Sequence, residues 1–488
     1  MAMLAEELIR REFLKAKWIA DRERQDEAQN KLDLFKDDYE EIIRQKIKEL
    51  FHKDNYERLY YHVNQSQNII KRVIKEISTV YQAQPIREFG KDERFQEILN
   101  YSKLDTKLKK VNRYTNLLNE VLLKIGVRAG RIVYDIITPN IMTIIQNEQD
   151  PTQADAIIYM VTRKNTVGDD SISYYYWDIY GNHLILDKDF RVSFVVYDEA
   201  APKGSFEFYP YRDDEGRLVL PFMTFHREEP DDSFWDQDTG RDLYNAAIMV
   251  GIKMTLFDYY FKVASFKQPY IVGDMVSVPA KQILDPLTIF QATGEGAQVG
   301  LLDMQINMDQ LRDALVFQIN SVINNYGISA DQWSLSISEM SGRALKIRNR
   351  ALLEIRQEQI PLYREYEQEI FNKTRIVNNA HFPQQQIKNA EFSVDFGEIE
   401  FPEDPEEELN LDTKRLKIGL ISLGQFYKKY NPDVDEKKGE KIIIQNLEKL
   451  KTLREEHPTL DEALNLIMRR ELQPGTKELE EEKKGEEE

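Results

Sequence analysis

Apolar residues recur at helical intervals through the first 58 positions. Leu4, Leu8, Phe13, Ile19, Leu32, Phe35, Tyr39, Ile42, Ile43, Ile47 and Leu50 stand between acidic and basic runs. Such spacing predicts charged amphipathic helices that pack one face on a partner surface. A further helix is predicted over 60–83, where Ile69, Ile70, Val73, Ile74, Ile77 and Val80 repeat ahead of Pro85, and another over about 104–129. From Arg131 the period drops to two. Ile132, Tyr134 and Ile136 alternate, and Pro139-Asn140 turns the chain before Ile141. Residues 155–227 then predict a meander, with strands at Ile157–Val161, Ser173–Tyr180, His183–Leu186, Val192–Tyr197, Phe206–Tyr211 and Leu218–Phe225.

Helical spacing returns near residue 240. Met249, Ile252, Leu256, Tyr259, Tyr260 and Val263 trace one apolar face, and Asp238 or Thr239 is placed to cap its start. A short irregular module, 268–307, holds Pro269, Pro279, Pro286 and a glycine cluster at 294–300. A second helix follows, with Leu311, Leu315, Ile319, Val322, Ile323 and Tyr326 on one side and Gly327 as its stop. The polar stretch Ser329–Ser341 leads to a long helix from Gly342 to about Asn379, which Pro361 is expected to kink. Glu391–Phe401 reads as a strand. Asp404-Pro405-Glu406-Glu407 sets out a cap, a proline at the first helical position and carboxylates in the first turn. Asp433-Val434-Asp435-Glu436 repeats the capping-box logic, so helices are expected over about 405–470. The fold class this implies is α+β, mainly helical.

Composition narrows the function classes. The 488 residues include 23 Phe and 25 Tyr, enough for a large core, while the Glu/Lys run from Lys477 to Glu488 is expected to stay disordered. The chain has no cysteine, which removes disulfides, thiolate metal sites and a cysteine nucleophile together. Tyr244–Phe266 is interrupted by Lys253, Asp258 and Lys262, too charged to span a bilayer, and Met1–Glu7 lacks the basic head of a secretion signal. A soluble, intracellular protein with no membrane partner is expected. The net charge of -19 opposes tight grip on nucleic acid, although an acidic wall lets a polyanion slide past it.

No constellation for chemistry stands out. The six histidines (52, 62, 183, 226, 381, 457) are scattered, and no metal or cofactor is expected. Nucleophile-elbow, phosphate-loop and zinc-protease motifs are missing from the sequence. Gly294-Glu295-Gly296 with Gly300 reads as a turn, and Asp236-Gln237-Asp238-Thr239-Gly240 as a capped helix entry, since its twelfth position is Ala247 where a calcium loop has Glu. Carboxylate pairs such as Asp231/Asp232 and Glu398/Glu400 say little among 85 acids. Arg343, Lys346 and Arg350 fall on one helix face. They make either a phosphate-facing patch or a solvated face with Arg350 paired to Glu354.

The order of these features carries more than any one of them. Two amphipathic helices bracketing a Pro/Gly-rich module, then a polar loop, then a long kinked helix, resemble the core of the tailed-bacteriophage portal (head-to-tail connector) protein family. Leu220-Pro-Phe-Met-Thr-Phe225 with Gly240-Arg-Asp-Leu243, Gln268-Pro-Tyr-Ile-Val-Gly273, Tyr326-Gly-Ile-Ser329, Ser341-Gly-Arg-Ala-Leu345 and Val394–Pro402 are similar to that family's wording. Upstream, Asn68-Ile-Ile-Lys to Tyr81 and Pro85, and Ile136-Ile-Thr-Pro139, also fit. The likeness spans about 60–450. The first 58 residues and the acidic tail depart from it.

What the resemblance implies is a non-enzymatic ring of twelve copies at one capsid vertex of a virion, assembled in the host cytoplasm and threaded by double-stranded DNA. Charged N-terminal helices (1–58) would lie at the wing periphery, and 59–239 would form the wing. The stem helices would be 240–267 and 308–328, flanking a clip at 268–307 that docks the terminase large subunit and later the head-completion or adaptor proteins. Pro279, Lys281, Gln282 and Asp285 would lie on that docking surface. The tunnel loop would be 329–341, with Asp331, Gln332, Trp333, Ser334, Ser336, Ser338 and Glu339 facing the DNA. The wing would resume over 342–404, the crown would be 405–470 and the acidic tail 471–488. Major capsid protein and scaffold would be further partners. Two other readings stay open: a helical adaptor or scaffold without a DNA channel, and a carboxylate-based hydrolase.

Overall fold

The computed structural model describes residues 2–53, 57, 59–63, 68–90, 93–164, 170–197, 209–236, 240–265, 268–272, 298–302, 307–328, 349–388, 391–399, 405–431 and 433–456. Contacts divide the chain into two units, Met1–Ser338 with Lys346–Glu400, and Glu339–Leu345 with Phe401–Glu488.

The first unit opens with three charged helices, α1 (Ala2–Ala20), α2 (Arg22–Phe35) and α3 (Glu40–Leu50), where the apolar stripe placed them. Helix α4 (Ile69–Ile77) is shorter than the predicted 60–83. Asn68 caps it by accepting from the Lys71 amide at 2.8 Å, and the Ser78 hydroxyl donates back to the Ile74 carbonyl at 2.5 Å, which competes with a further turn. Strand β1 (Pro85–Glu88) and helices α5 (Glu93–Ser102) and α6 (Leu104–Leu118) follow.

The sequence pattern carries helix to about 129, but the chain turns into strand β2 (Glu120–Arg128) at Asn119, whose φ of 73° ends α6. Val121–Ile125 is almost wholly buried, and an apolar run covered on both faces shows no period that separates strand from helix. Strand β3 (Arg131–Ile137) pairs antiparallel with β2, Leu122 facing Ile137. Strands β4 (Met142–Gln146), β5 (Ala154–Lys164), β6 (Asp170–Asp178), β7 (His183–Leu186) and β8 (Val192–Tyr197) form the expected meander. Its predicted fifth strand, Phe206–Tyr211, is not seen over Tyr209–Tyr211, and 206–208 lie outside the described residues. The last, β9 (Phe222–His226), leaves the meander to pair with β2, giving a three-stranded sheet in the order β3-β2-β9.

Next come α7 (Arg241–Ser265), β10 (Gln268–Val272), β11 (Gln298–Leu302), α8 (Met308–Asn325), the 32-residue α9 (Arg350–His381, Pro361 inside it) and β12 (Ser393–Phe396). Strand β12 pairs antiparallel with β1, Pro85 opposite Phe396. Helix α9 carries the main core. Tyr363, Tyr366, Ile370 and Phe371 belong to one buried cluster with Val121, Leu123, Ile125 and Phe225 of the three-stranded sheet. In that core Glu367 receives Arg87 through two nitrogens at 2.8 Å each and the Tyr81 hydroxyl at 3.0 Å, while Arg87 also reaches Asp105 at 2.7 Å. A smaller cluster seats Leu14 and Trp18 of α1 on Tyr174, Tyr176, Leu184 and Phe190 of the meander.

The second unit holds α10 (Pro405–Lys417), α11 (Leu423–Tyr430) and α12 (Glu436–Glu456). Pro405 opens α10 as expected. The capping box lies one helix earlier than the sequence suggests. Ser422 and Gln425 form it at α11, whereas α12 begins at Glu436 behind Asp435, whose carbonyl takes the Lys438 and Gly439 amides. Asp412 is buried and receives Lys429 at 2.5 Å and Arg415 at 3.2 Å. Among the described residues no helix is long and apolar enough to cross a membrane.

Candidate functional site: an antiparallel helix hairpin

Helices α7 and α8 lie antiparallel. Near the start of α7, Asp242 accepts from the Tyr326 hydroxyl at 2.6 Å and from Asn325 at 3.4 Å, just past the end of α8. Midway, Lys253 donates to Gln318. Beyond the far ends β10 and β11 close the pair as an antiparallel ladder, Gln268 opposite Leu302. The segment 268–307, expected to be irregular, therefore holds regular pairing at 268–272 and 298–302. Gly300, read as part of a turn, stands in that ladder opposite Tyr270.

The base of the hairpin is built into the body. Leu243, Ile248, Val250, Ile252, Ile319, Ile323 and Tyr326 share a buried cluster with Ile43 and Ile47 of α3 and with Ile69, Val73 and Ile77 of α4. Local sequence fixes both ends of α8. The Asn307 side chain accepts from the Gln310 amide at 3.1 Å. At the other end Ile328 donates to the Ile323 carbonyl and Gly327 to that of Asn324, with Gly327 at φ +68°, a Schellman ending. A Cβ at Gly327 would stand 3.0 Å from that of Ala351, so this position is closed to larger residues for two reasons.

Away from the base the surface changes character. Tyr260, Phe261, Leu311, Val316 and Phe317 are exposed, Phe317 by 74% and Phe261 by 59%, among Lys262, Asp309, Arg312 and Asp313. Sequence reasoning set Leu311, Leu315 and Ile319 on one side of α8, but Leu311 is exposed, Leu315 is half-buried and only Ile319 is packed, and Val316 and Phe317 outside that stripe were overlooked. Apolar residues off the main stripe were the signal available.

Few of the predicted site residues can be placed. The tunnel-loop positions Asp331, Gln332, Trp333, Ser334, Ser336, Ser338 and Glu339, the docking positions Pro279, Lys281, Gln282 and Asp285, and Arg343 and Lys346 all lie outside the described residues. So do Asp238 and Thr239, the expected caps of α7. Arg350 is described, and it donates to Glu354 at 2.8 Å on an exposed face.

Chemistry is sparse around the hairpin. A cavity of about 510 Å³ beside its base is lined by Arg227, Glu228, Glu229, Tyr326 and Glu358 among others. Among the described residues no group of three or more His, Asp or Glu side chains is placed to hold a metal. His183 stacks on Trp177 with ring centres 3.5 Å apart, and burial pushes its imidazole down to about 2. His226 packs on Phe234 and is pushed down to about 4 for the same reason. Both are core aromatics.

No protein-family model matches this chain, and no curated protein matches it either. Solved structures do. The chain is similar to one from the virion of a native gene transfer agent particle, with a TM-score of 0.41 and 10% identity over 75% of this chain and 89% of that one. It is also similar to chains from the neck of the native particle computed with C12 symmetry (0.40, 10%, 73% and 86%) and from the neck of the empty particle computed with C6 symmetry (0.39, 11%, 74% and 88%).

Proposed function

We propose that this chain is a structural, non-catalytic subunit of a head-to-tail connector. Its copies close into a portal ring, twelve by the resemblance, at one capsid vertex of a virion, and the hairpin of α7 and α8 forms the wall of the channel through which double-stranded DNA passes. The clip at 268–307 docks the terminase large subunit and then head-completion proteins. The wing meets major capsid protein and scaffold.

One observation carries this reading. The hairpin is bolted into the core at its base, yet exposes Phe261, Val316 and Phe317 farther out. Exposed apolar surface gathered on one element marks an interface. A hairpin that packs side by side with copies of itself, each offering one face to the next, covers that surface on every copy and closes by rotation. The channel reading adds the charge. With -19 on every copy the wall repels a duplex and offers few sticking contacts.

Imaging of the purified chain tests this directly. Closed rings with a central hole are expected, and material that stays monomeric at every concentration, alone or during capsid assembly, overturns it. Affinity for DNA is expected to be weak, independent of sequence and strongly dependent on salt. Tight binding at physiological salt would contradict the acidic-wall argument.

A further inference from the structure

The described residues of the second unit bury no apolar residue larger than glycine. Among its described residues only Asp412, Gly424 and Gly439 are buried. Leu416, Leu423, Phe426, Ile442 and Ile443 are only partly covered. Two apolar patches stand open. Leu409 and Leu411 of α10, with Ile418 and Leu420 in the turn after it, are 44–71% exposed. On α12, Ile444, Leu447 and Leu450 are 43–55% exposed at intervals of three, a single stripe along the helix.

The helices are nevertheless held in a defined arrangement. A Cβ at Gly424 would stand 2.5 Å from the Glu436 carbonyl, so α11 touches the start of α12 at backbone distance. Lys429 of α11 reaches both Asp412 and Glu408 of α10, at 2.5 and 2.6 Å. Three helices fixed by a glycine contact and an ion network, with these two patches of leucine and isoleucine facing out, are suited to finish a core between molecules.

We infer that the occupant of these patches is the same unit of a second copy, with the α12 stripe of one chain packed against the α10 patch of the next. Pairing of α12 with its own counterpart across a two-fold axis would leave the α10 patch uncovered. A head-to-tail contact covers both patches at once and repeats around a ring. The area sets how strong this contact is. Seven half-uncovered aliphatic side chains amount to on the order of 300–400 Å² of apolar surface. A free-standing interface buries roughly 1,600 Å², a little over half of it apolar. The contact thus supplies about a third of what two free copies need, so it forms between copies that the ring already brings together. In that respect it rests on the ring proposed above.

The chain has no cysteine, so the contact can be trapped without background. The full-length chain carrying both Leu411→Cys and Leu447→Cys is assembled, mildly oxidised and separated under denaturing, non-reducing conditions. The double variant is expected to give a ladder of dimers, trimers and larger species, each single variant none, and a mixture of the two singles dimers at most. Dimers from Leu447→Cys alone would overturn the head-to-tail pairing. A cross-link confined to one chain would show that the unit covers its own patches, and would also overturn it. Intact rings with no ladder would sink this contact and leave the ring standing, whereas a chain that never assembles sinks both.

Discussion

At the residue scale the buried charges decide most. Glu367 is 1% exposed and is satisfied by Arg87 and Tyr81, a buried arrangement in which the charges hold one another in place. Removing one partner leaves the other charge in the core, so Arg87→Met should cost about 3–5 kcal/mol, read as a fall in the denaturant midpoint. A loss under about 1 kcal/mol would mean that water already reaches Glu367. Glu120 is a different case. Burial pushes its carboxyl up to about 8, although it accepts from the Asp236 amide at 2.5 Å. Between about 4.5 and 8 the folded chain keeps a proton that the unfolded chain has released, so this group makes stability fall as pH rises, by up to ~1.4 kcal/mol per pH unit. His226 works in the opposite sense below its window. Its ring stays neutral down to about 4 in the fold, so stability is lost as pH falls from about 6.5 towards 4. Unfolding midpoints at pH 5 and pH 8 check the pair: Glu120→Gln should flatten the alkaline decline and leave the acid limb, and equal profiles for variant and parent would show that Glu120 stays ionised.

Among the elements, the hairpin tests how far local chemistry fixes position. Gly327→Ala puts a side chain at φ +68° and against Ala351, so roughly 1–2 kcal/mol of stability should be lost, with α8 fraying first in amide exchange. Phe317→Asp acts on the opposite face. Since Phe317 is exposed in the single chain, the melting temperature should hardly change while assembly size collapses, a separation visible by light scattering beside a thermal melt. If unfolding shifts as much as assembly, the side chain supports the fold and not a contact. Most of the helices and the meander were legible in the sequence because their stripes are one-sided, whereas the short helix Glu93–Ser102 was missed. Ile69 to Ile77 and Ile319 to Tyr326 bury one face and wet the other, and that contrast is the signal. Val121 to Ile125 carries no such contrast, being covered on both sides, so β2 reads as the tail of a helix. The departure of β9 from the meander to β2 was equally hidden, because a strand's partner depends on residues about a hundred positions away. For the site, both hairpin helices were visible from their spacing, while Phe261 and Phe317, exposed only because of how α7 and α8 turn their faces, were not.

Across the whole molecule, the proposed ring raises the question of which segments would build its wall and which would only touch what passes through it. The base of the hairpin shares a core with α3 and α4, so the hairpin and the N-terminal helices fold together, and under the proposed function loss of either should cost the assembly. The polar stretch 331–340 stands differently in the sequence. Ser334, Ser336 and Ser338 alternate there with Trp333, Leu335 and Ile337, between the polar Asp331-Gln332 and Glu339 before Met340. Under the proposed function it meets DNA at the narrowest part of the channel. Deleting 331–340 should therefore leave ring formation unchanged in images of the purified chain and change the amount or rate of DNA packaged when the variant replaces its parent in a packaging assay. Rings lost on deletion would put that stretch among the contacts that hold copies together, and packaging left untouched would remove it from the path of the duplex.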